Sequence, residues 1–277
     1  MFTLLDGKDA MKKLSTIDPY LQEMTLFDFE SRLRKKFLSK ESGLQLYREL
    51  IQLQVKKWTI SLKKRFNQSL EKLNMTLISS LPLPKTIFVI VSKSNLERDA
   101  AYCRLKNVIV LPDRMVGNHT ILAHELFHIL SRNNIKLRDK IYKVFGFIRL
   151  ERDVKIPSNL IKITNPDALF NEHYVEIEKV KVVPIIFSTI TYDVRDVNFF
   201  KYVRFGLIDV VNNNSRNWSL IQSYMNKFKN IKSLLNRSHP EEISATYFSI
   251  MMVDGSTTNL LTKDQLLKIK KLLNVEY

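Results

Sequence analysis

From Tyr47 onward, apolar residues recur at every third or fourth position: Tyr47, Ile51, Val55, Trp58, Leu62, Phe66, Leu70 and Leu73. That period places them along one face of an α-helix. Lys56, Lys57, Lys63, Lys64 and Arg65 occupy much of the remaining surface. Such a basic amphipathic face can bind an anionic membrane or a partner helix, but its commoner use is to pack on the protein's own core. Leu81-Pro82-Leu83-Pro84 interrupts the pattern, because each proline lacks an amide donor and pushes its predecessor out of helical conformation. We place the main internal boundary there, between an N-terminal helical region (1–84) and a second region (85–277). Residues 86–92 and 107–111, rich in β-branched side chains, read as strands. Pro112-Asp113 and Gly117-Asn118 mark the turn into a helix over 120–132, which Asn133-Asn134 ends. Strands are expected over 174–177, 180–191 and 202–211, then helices over 218–235, 240–252 and 263–273. Helices, a few strands, a helix, more strands and more helices make an α+β fold.

Composition narrows the function classes. The 277 residues are 45% hydrophobic with only 6 glycines and 8 prolines, which argues against flexible linkers. Lys and Arg outnumber Asp and Glu by 44 to 28, a formal charge of +16. That field would favour an anionic partner, though a lysine-rich exterior explains it equally and no nucleic-acid-binding signature accompanies it. Cys103 is the single cysteine, so an intramolecular disulfide and a cysteine-rich zinc site are both excluded. Charged residues interrupt the first eight positions before a signal-peptide core could form. No apolar run approaches the ~20 residues that cross a bilayer. The expectation is a soluble, cytoplasmic protein without a transmembrane segment.

The chemistry concentrates in His124-Glu125-Leu126-Phe127-His128. Residues four apart on a helix lie nearly one above the other, so both imidazoles face one point and can hold Zn2+. Glu125, beside the first histidine, can take a proton from a water that the metal activates. Three fixed positions arise often by chance. The flanks are stricter, because Ile121, Leu122, Leu126, Phe127, Ile129 and Leu130 make the helix apolar on nearly every side. A buried helix keeps two histidines and a glutamate only with compensating partners. The competing reading is a core helix whose histidines are satisfied by neighbouring hydrogen bonds.

This segment resembles the active-site helix of zincin metallopeptidases, and Asn107–Pro112 is similar to the strand that borders their substrate cleft. The resemblance covers about 30 residues. It implies a zincin-like catalytic domain over 85–277, zinc as cofactor, and a peptide or protein as substrate. Metzincins continue the motif with glycine and histidine; Ser131 and Asn134 stand there instead. Glu242 followed by Ala245 resembles the Glu-x-x-Ala spacing of the gluzincin ligand helix, which makes Glu242 the favoured third metal ligand, with Glu241 and His173 as alternatives. Gluzincins often follow that small residue with an acid that supports a histidine ligand; Thr246 leaves the role unassigned here. Such enzymes also steady the oxyanion with a tyrosine or histidine, for which His173, Tyr174 and Tyr247 are the candidates. His173 and Tyr174 would face opposite ways on a strand. His119 and His239 are expected to be capping or surface residues. A second function class stays open: a basic protein using this scaffold to bind nucleic acid or another anion without catalysis.

Overall fold

The computed structural model describes residues 1–93, 96–212, 218–231, 233, 235–254 and 262–273. Strands β1 (Phe2–Leu5), β2 (Ile87–Ser92), β3 (Tyr102–Arg104) and β4 (Val108–Pro112) form a sheet in the order β1-β2-β4-β3. β1, β2 and β4 are parallel, and β3 runs antiparallel to β4. Side chains alternate across it: Ile87, Val89, Val91, Ile109 and Leu111 enter one core, Ile90, Val108 and Val110 the other. Both faces are therefore covered, as parallel strands require.

Helices α1 (Gly7–Ser15), α2 (Pro19–Glu23), α3 (Leu26–Leu33) and α4 (Lys40–Gln52) supply the second core through Ala10, Leu14, Tyr20, Phe29, Tyr47 and Ile51. The first core draws on α5 (Ile60–Glu71), α6 (Met75–Ser80), α7 (His119–Asn133) and α8 (Ile135–Val144), and on α9 (Trp218–Lys227), α10 (Pro240–Asp254) and α11 (Lys263–Leu272). Within it α7 and α10 pack together, with the Phe127 and Phe248 rings 5.5 Å apart. Between α8 and α9 lies an antiparallel sheet of β5 (Phe147–Arg149), β6 (Ile161–Lys162), β7 (His173–Ile177), β8 (Val180–Ser188) and β9 (Arg204–Asp209). The chain is mixed α+β, as its pattern indicates. No described helix is long and apolar enough to cross a membrane.

Three features go beyond the sequence expectation. The stripe from Tyr47 to Leu73 belongs to two helices, because the connector between them is drawn onto the sheet: Lys56 N–H donates to the Val91 carbonyl (2.9 Å) and Lys93 N–H to that of Gln54 (2.8 Å). Thr59 then restarts the helix by accepting from Leu62 N–H. Packing is continuous across Pro84, since β1 pairs with β2 and Trp58, Leu62 and Phe66 share a core with Leu122 and Leu126. Finally, α8 follows α7 almost without a loop.

Candidate metal centre

α7 is started by Asn118, whose side chain accepts from Ile121 N–H at 3.1 Å. Gly117 supplies the turn before it with φ +98°, a value side-chain-bearing residues rarely adopt. One turn into the helix, the His124 and His128 rings stand 4.8 Å apart between centroids. Glu125 and His128 are buried, and His124 is half-buried. The apolar flanks explain this: Leu126, Phe127, Ile129 and Leu130 are themselves buried and draw the motif inward.

Glu242 reaches the same point from a helix 118 residues away from His124 in sequence. Pro240 opens α10, where its missing amide costs nothing, and His239 Nδ1 accepts from Glu241 N–H (3.1 Å). Ala245, fully buried, lets α10 approach α7 closely. Glu242 Oε2 then lies 3.1 Å from His124 Nε2 and 4.0 Å from His128 Nε2. Tetrahedral zinc with ~2.0–2.1 Å bonds holds its donor atoms roughly 3.3 Å apart. His124, Glu125 and His128, and likewise His128, Asp167 and Glu242, offer donor atoms within 4.8 Å of one another, so Glu242 shares His128 with the motif and brings Asp167 in as a further candidate ligand. Asn165 Nδ2 donates to the other Glu242 oxygen at 2.7 Å and fixes its orientation.

Glu241 is turned away from that point. Its Oε1 lies 2.7 Å from His128 Nδ1 and accepts from Ser131 Oγ at 2.5 Å, and its Oε2 accepts from Tyr142 OH. A carboxylate on Nδ1 fixes the His128 ring and leaves Nε2 facing Glu242, the arrangement a metal-binding histidine would need. The position after Ala245 is not needed for it: Thr246 Oγ1 instead donates to the Glu242 carbonyl (2.8 Å).

The carboxyl groups of Glu125, Asp167, Glu241 and Glu242 are all largely withdrawn from water. Among the described residues in contact with them, Arg132 is the one permanent cation, bonded to Asp167 at 2.6 Å. The imbalance appears in the titration of the histidine and its partners. Burial opposes a charge on His128, yet Asp167, the Glu241 bond and Glu242 raise its pKa to about 10. Burial opposes ionisation of Glu242 too, but His124 and His128 hold it down to about 2. A dication would neutralise the same excess without drawing protons onto imidazole. Glu125 is pushed upward by burial and by the charge of Asp167. Its carboxylate accepts from the Cys103 thiol at 3.3 Å.

His124, Glu125, His128, Asn165, Asp167 and Glu242 line one cleft of about 260 Å³. His173, Tyr174 and Tyr247, offered by sequence as oxyanion partners, do not line it. His173 Nε2 faces Asp139 Oδ1 (3.1 Å), and its ring packs on Tyr142, so it sits one layer beyond Glu241 and is no partner of the motif histidines. Tyr174 occupies the opposite face of β7, under Lys181. Tyr247 is stacked on Phe145 at 4.9 Å inside the core. The strand over Asn107–Pro112 does not border the cleft either. β3 pairs along its free side, and Ala100, Ala101 and Tyr102 line the cleft instead.

No protein-family model, curated protein or solved structure matches the chain. The site therefore carries the functional argument by itself. Sequence reasoning missed Asn165 and the structural use of Asp167, which also accepts from Cys103 N–H at 3.0 Å. Both lie in the loop Asn165-Pro166-Asp167, where only a cluster of polar residues beside proline marks them.

Proposed function

We propose that this chain is a zinc-dependent hydrolase acting on peptide bonds, with His124, His128 and Glu242 as ligands and Glu125 as general base. One observation carries the reading: two distant helices deliver a histidine pair and a carboxylate to one point, while Glu241 braces His128 from behind. A bound zinc supplies a Lewis acid that polarises a carbonyl and lowers the pKa of a water to ~7. Glu125 Oε accepts the proton of the attacking water and returns it to the departing nitrogen. Asn165 keeps Glu242 turned towards the histidines. Peptide as the substrate rests on the resemblance of the motif helix to zincins.

Metal analysis after reconstitution tests the ligand set, with one equivalent of zinc expected and less than about half an equivalent counting against it. Glu125→Gln is expected to retain zinc and lose turnover by about 10²–10⁴-fold. Unchanged turnover would remove Glu125 from the mechanism.

A further inference from the structure

Arg98 lines the same cleft as the metal motif, and its charge is left almost unused. Its guanidinium lies over the Phe199 ring, 3.4 Å from the centroid, and Nη2 donates to Ser31 Oγ at 2.6 Å. Nε is buried with no hydrogen-bond partner, and no described carboxylate forms an ion pair with the side chain. The nearby acids are committed elsewhere. Glu97 takes Arg32 Nε at 3.0 Å together with the Tyr20 and Tyr47 hydroxyls, and Asp28 takes Arg32 Nη1 at 2.9 Å. The structural Arg104 differs in its ion pair: its Nη1 is also buried without a partner, but its charge meets both Asp18 oxygens and the Thr16 carbonyl. Arg98 (φ +52°) and Asp99 (φ +58°) are also both left-handed, a conformation uncommon for residues with side chains and concentrated at functional turns. Burial and the charge of Arg32 lower the Arg98 pKa to about 10, which still leaves it a cation at neutral pH.

Nε is sealed from the cleft, so the donor left for a ligand is Nη1, which bonds to no described residue and is not among the fully buried atoms. A planar cation with that donor, packed on an aromatic ring beside the proposed hydrolytic centre, suits a planar anion. We propose that Arg98 is the anion-recognition point of the cleft, taking a substrate carboxylate next to a bulky apolar residue. Ile163, Ile186, Phe199, Phe200 and Val203 supply the apolar wall for that residue. The carboxylate is that of a peptide C-terminus or of an acidic side chain. This inference deepens the hydrolase reading and rests on it for the word substrate, but recognition of the anion is measurable without turnover.

The test titrates zinc-loaded full-length protein by calorimetry with a hydroxamate-capped dipeptide ending in phenylalanine, as the free acid and as the amide. An amidated tripeptide carrying Asp or Asn provides the side-chain arm. At least one acid form is expected to bind about tenfold or more tightly than its neutral counterpart, a typical worth of a charge-assisted bond. Arg98→Gln is expected to reduce that preference to about twofold or less with zinc content unchanged, and Arg98→Lys to retain part of it. The arm that shows the effect identifies the source of the carboxylate. Equal affinity for acid and neutral forms, no binding of either, or a preference surviving in Arg98→Gln overturns the inference. A cleavage assay on a peptide library separates it from the hydrolase reading. Carboxylate preference without cleavage of any peptide refutes hydrolysis alone, whereas cleavage indifferent to carboxylates and to Arg98→Gln refutes this inference alone.

Discussion

Glu241→Gln probes the link between the two helices while leaving side-chain volume intact. Glu241 accepts from three sides: His128 Nδ1 at 2.7 Å, Ser131 Oγ at 2.5 Å, and Tyr142 OH. The amide keeps one oxygen acceptor and loses the negative charge. The bond to His128 then falls from the charge-assisted class, about 1.5–3 kcal/mol, to the neutral class, about 0.5–1.5 kcal/mol. The difference of roughly 1–1.5 kcal/mol corresponds to about tenfold in affinity, at the low end of the 10–100-fold measured when carboxylates behind metal-bound histidines are removed. Competition of the protein with a chromophoric chelator measures the zinc dissociation constant directly. Far-ultraviolet circular dichroism confirms that the variant is folded. A folded Glu241→Gln protein with unchanged zinc affinity would show that Glu241 does not act through a metal ligand.

Two further outcomes depend on groups away from the metal centre. Burial, with the charges of Arg138 and His239, lowers the His173 pKa from 6.5 to about 4, so the folded state binds fewer protons than the unfolded chain between those values. Its contribution is complete above pH 6.5 and is lost as pH falls towards 4, at most roughly 3 kcal/mol; urea titrations of His173→Gln should show a shallower decline over that window, and an identical slope would refute the assignment. Asp18→Ala leaves the Arg104 guanidinium, 0% exposed and bonded to Asp18 at 2.8 and 3.1 Å, without its carboxylate. A loss of about 3–5 kcal/mol in urea unfolding is expected, and a loss below about 1 kcal/mol would mean that water compensates the arginine.

What could be read from sequence followed the range of the forces involved. The motif helix, both β-branched strands and the start of α10 at Pro240 are local: periodicity, a cap or a proline decides each of them. The break between α4 and α5 is not local, since an apolar stripe at helical spacing continues straight through it. It exists because Gln54 and Lys56 bond to the chain around β2, some forty residues on. The site divides the same way. His124, Glu125 and His128 share one turn and declare themselves, and Glu242 had a spacing to Ala245 to mark it. Glu241 stood only as an alternative ligand, because its actual bonds depend on where His128 and Tyr142 arrive. Asn165 carries no pattern at all; its role is defined only when its loop crosses α10.

Glu125 also separates catalysis from a purely structural use of this scaffold. A structural zinc site needs ligands and the groups that orient them, positions that His124, His128, Glu242, Glu241 and Asn165 would fill under the proposed reading. Glu125 orients none of them. It is 3% exposed and its carboxylate accepts from a thiol, a weak donor, at 3.3 Å. Burying a carboxylate with so poor a partner costs stability, and the neighbouring charge of Asp167 adds to that cost. Neutralising it should therefore help the fold. In chelator-treated protein, Glu125→Gln is expected to be at least as stable as wild type and up to about 1–3 kcal/mol more so in urea unfolding. A group that weakens the fold and serves no ligand is what the proposed general base would look like, the balance typical of an active site. The opposite result, a loss above about 1 kcal/mol, would make Glu125 a structural residue and remove the strongest distinction between a hydrolase and a basic binding protein built on the same metal site.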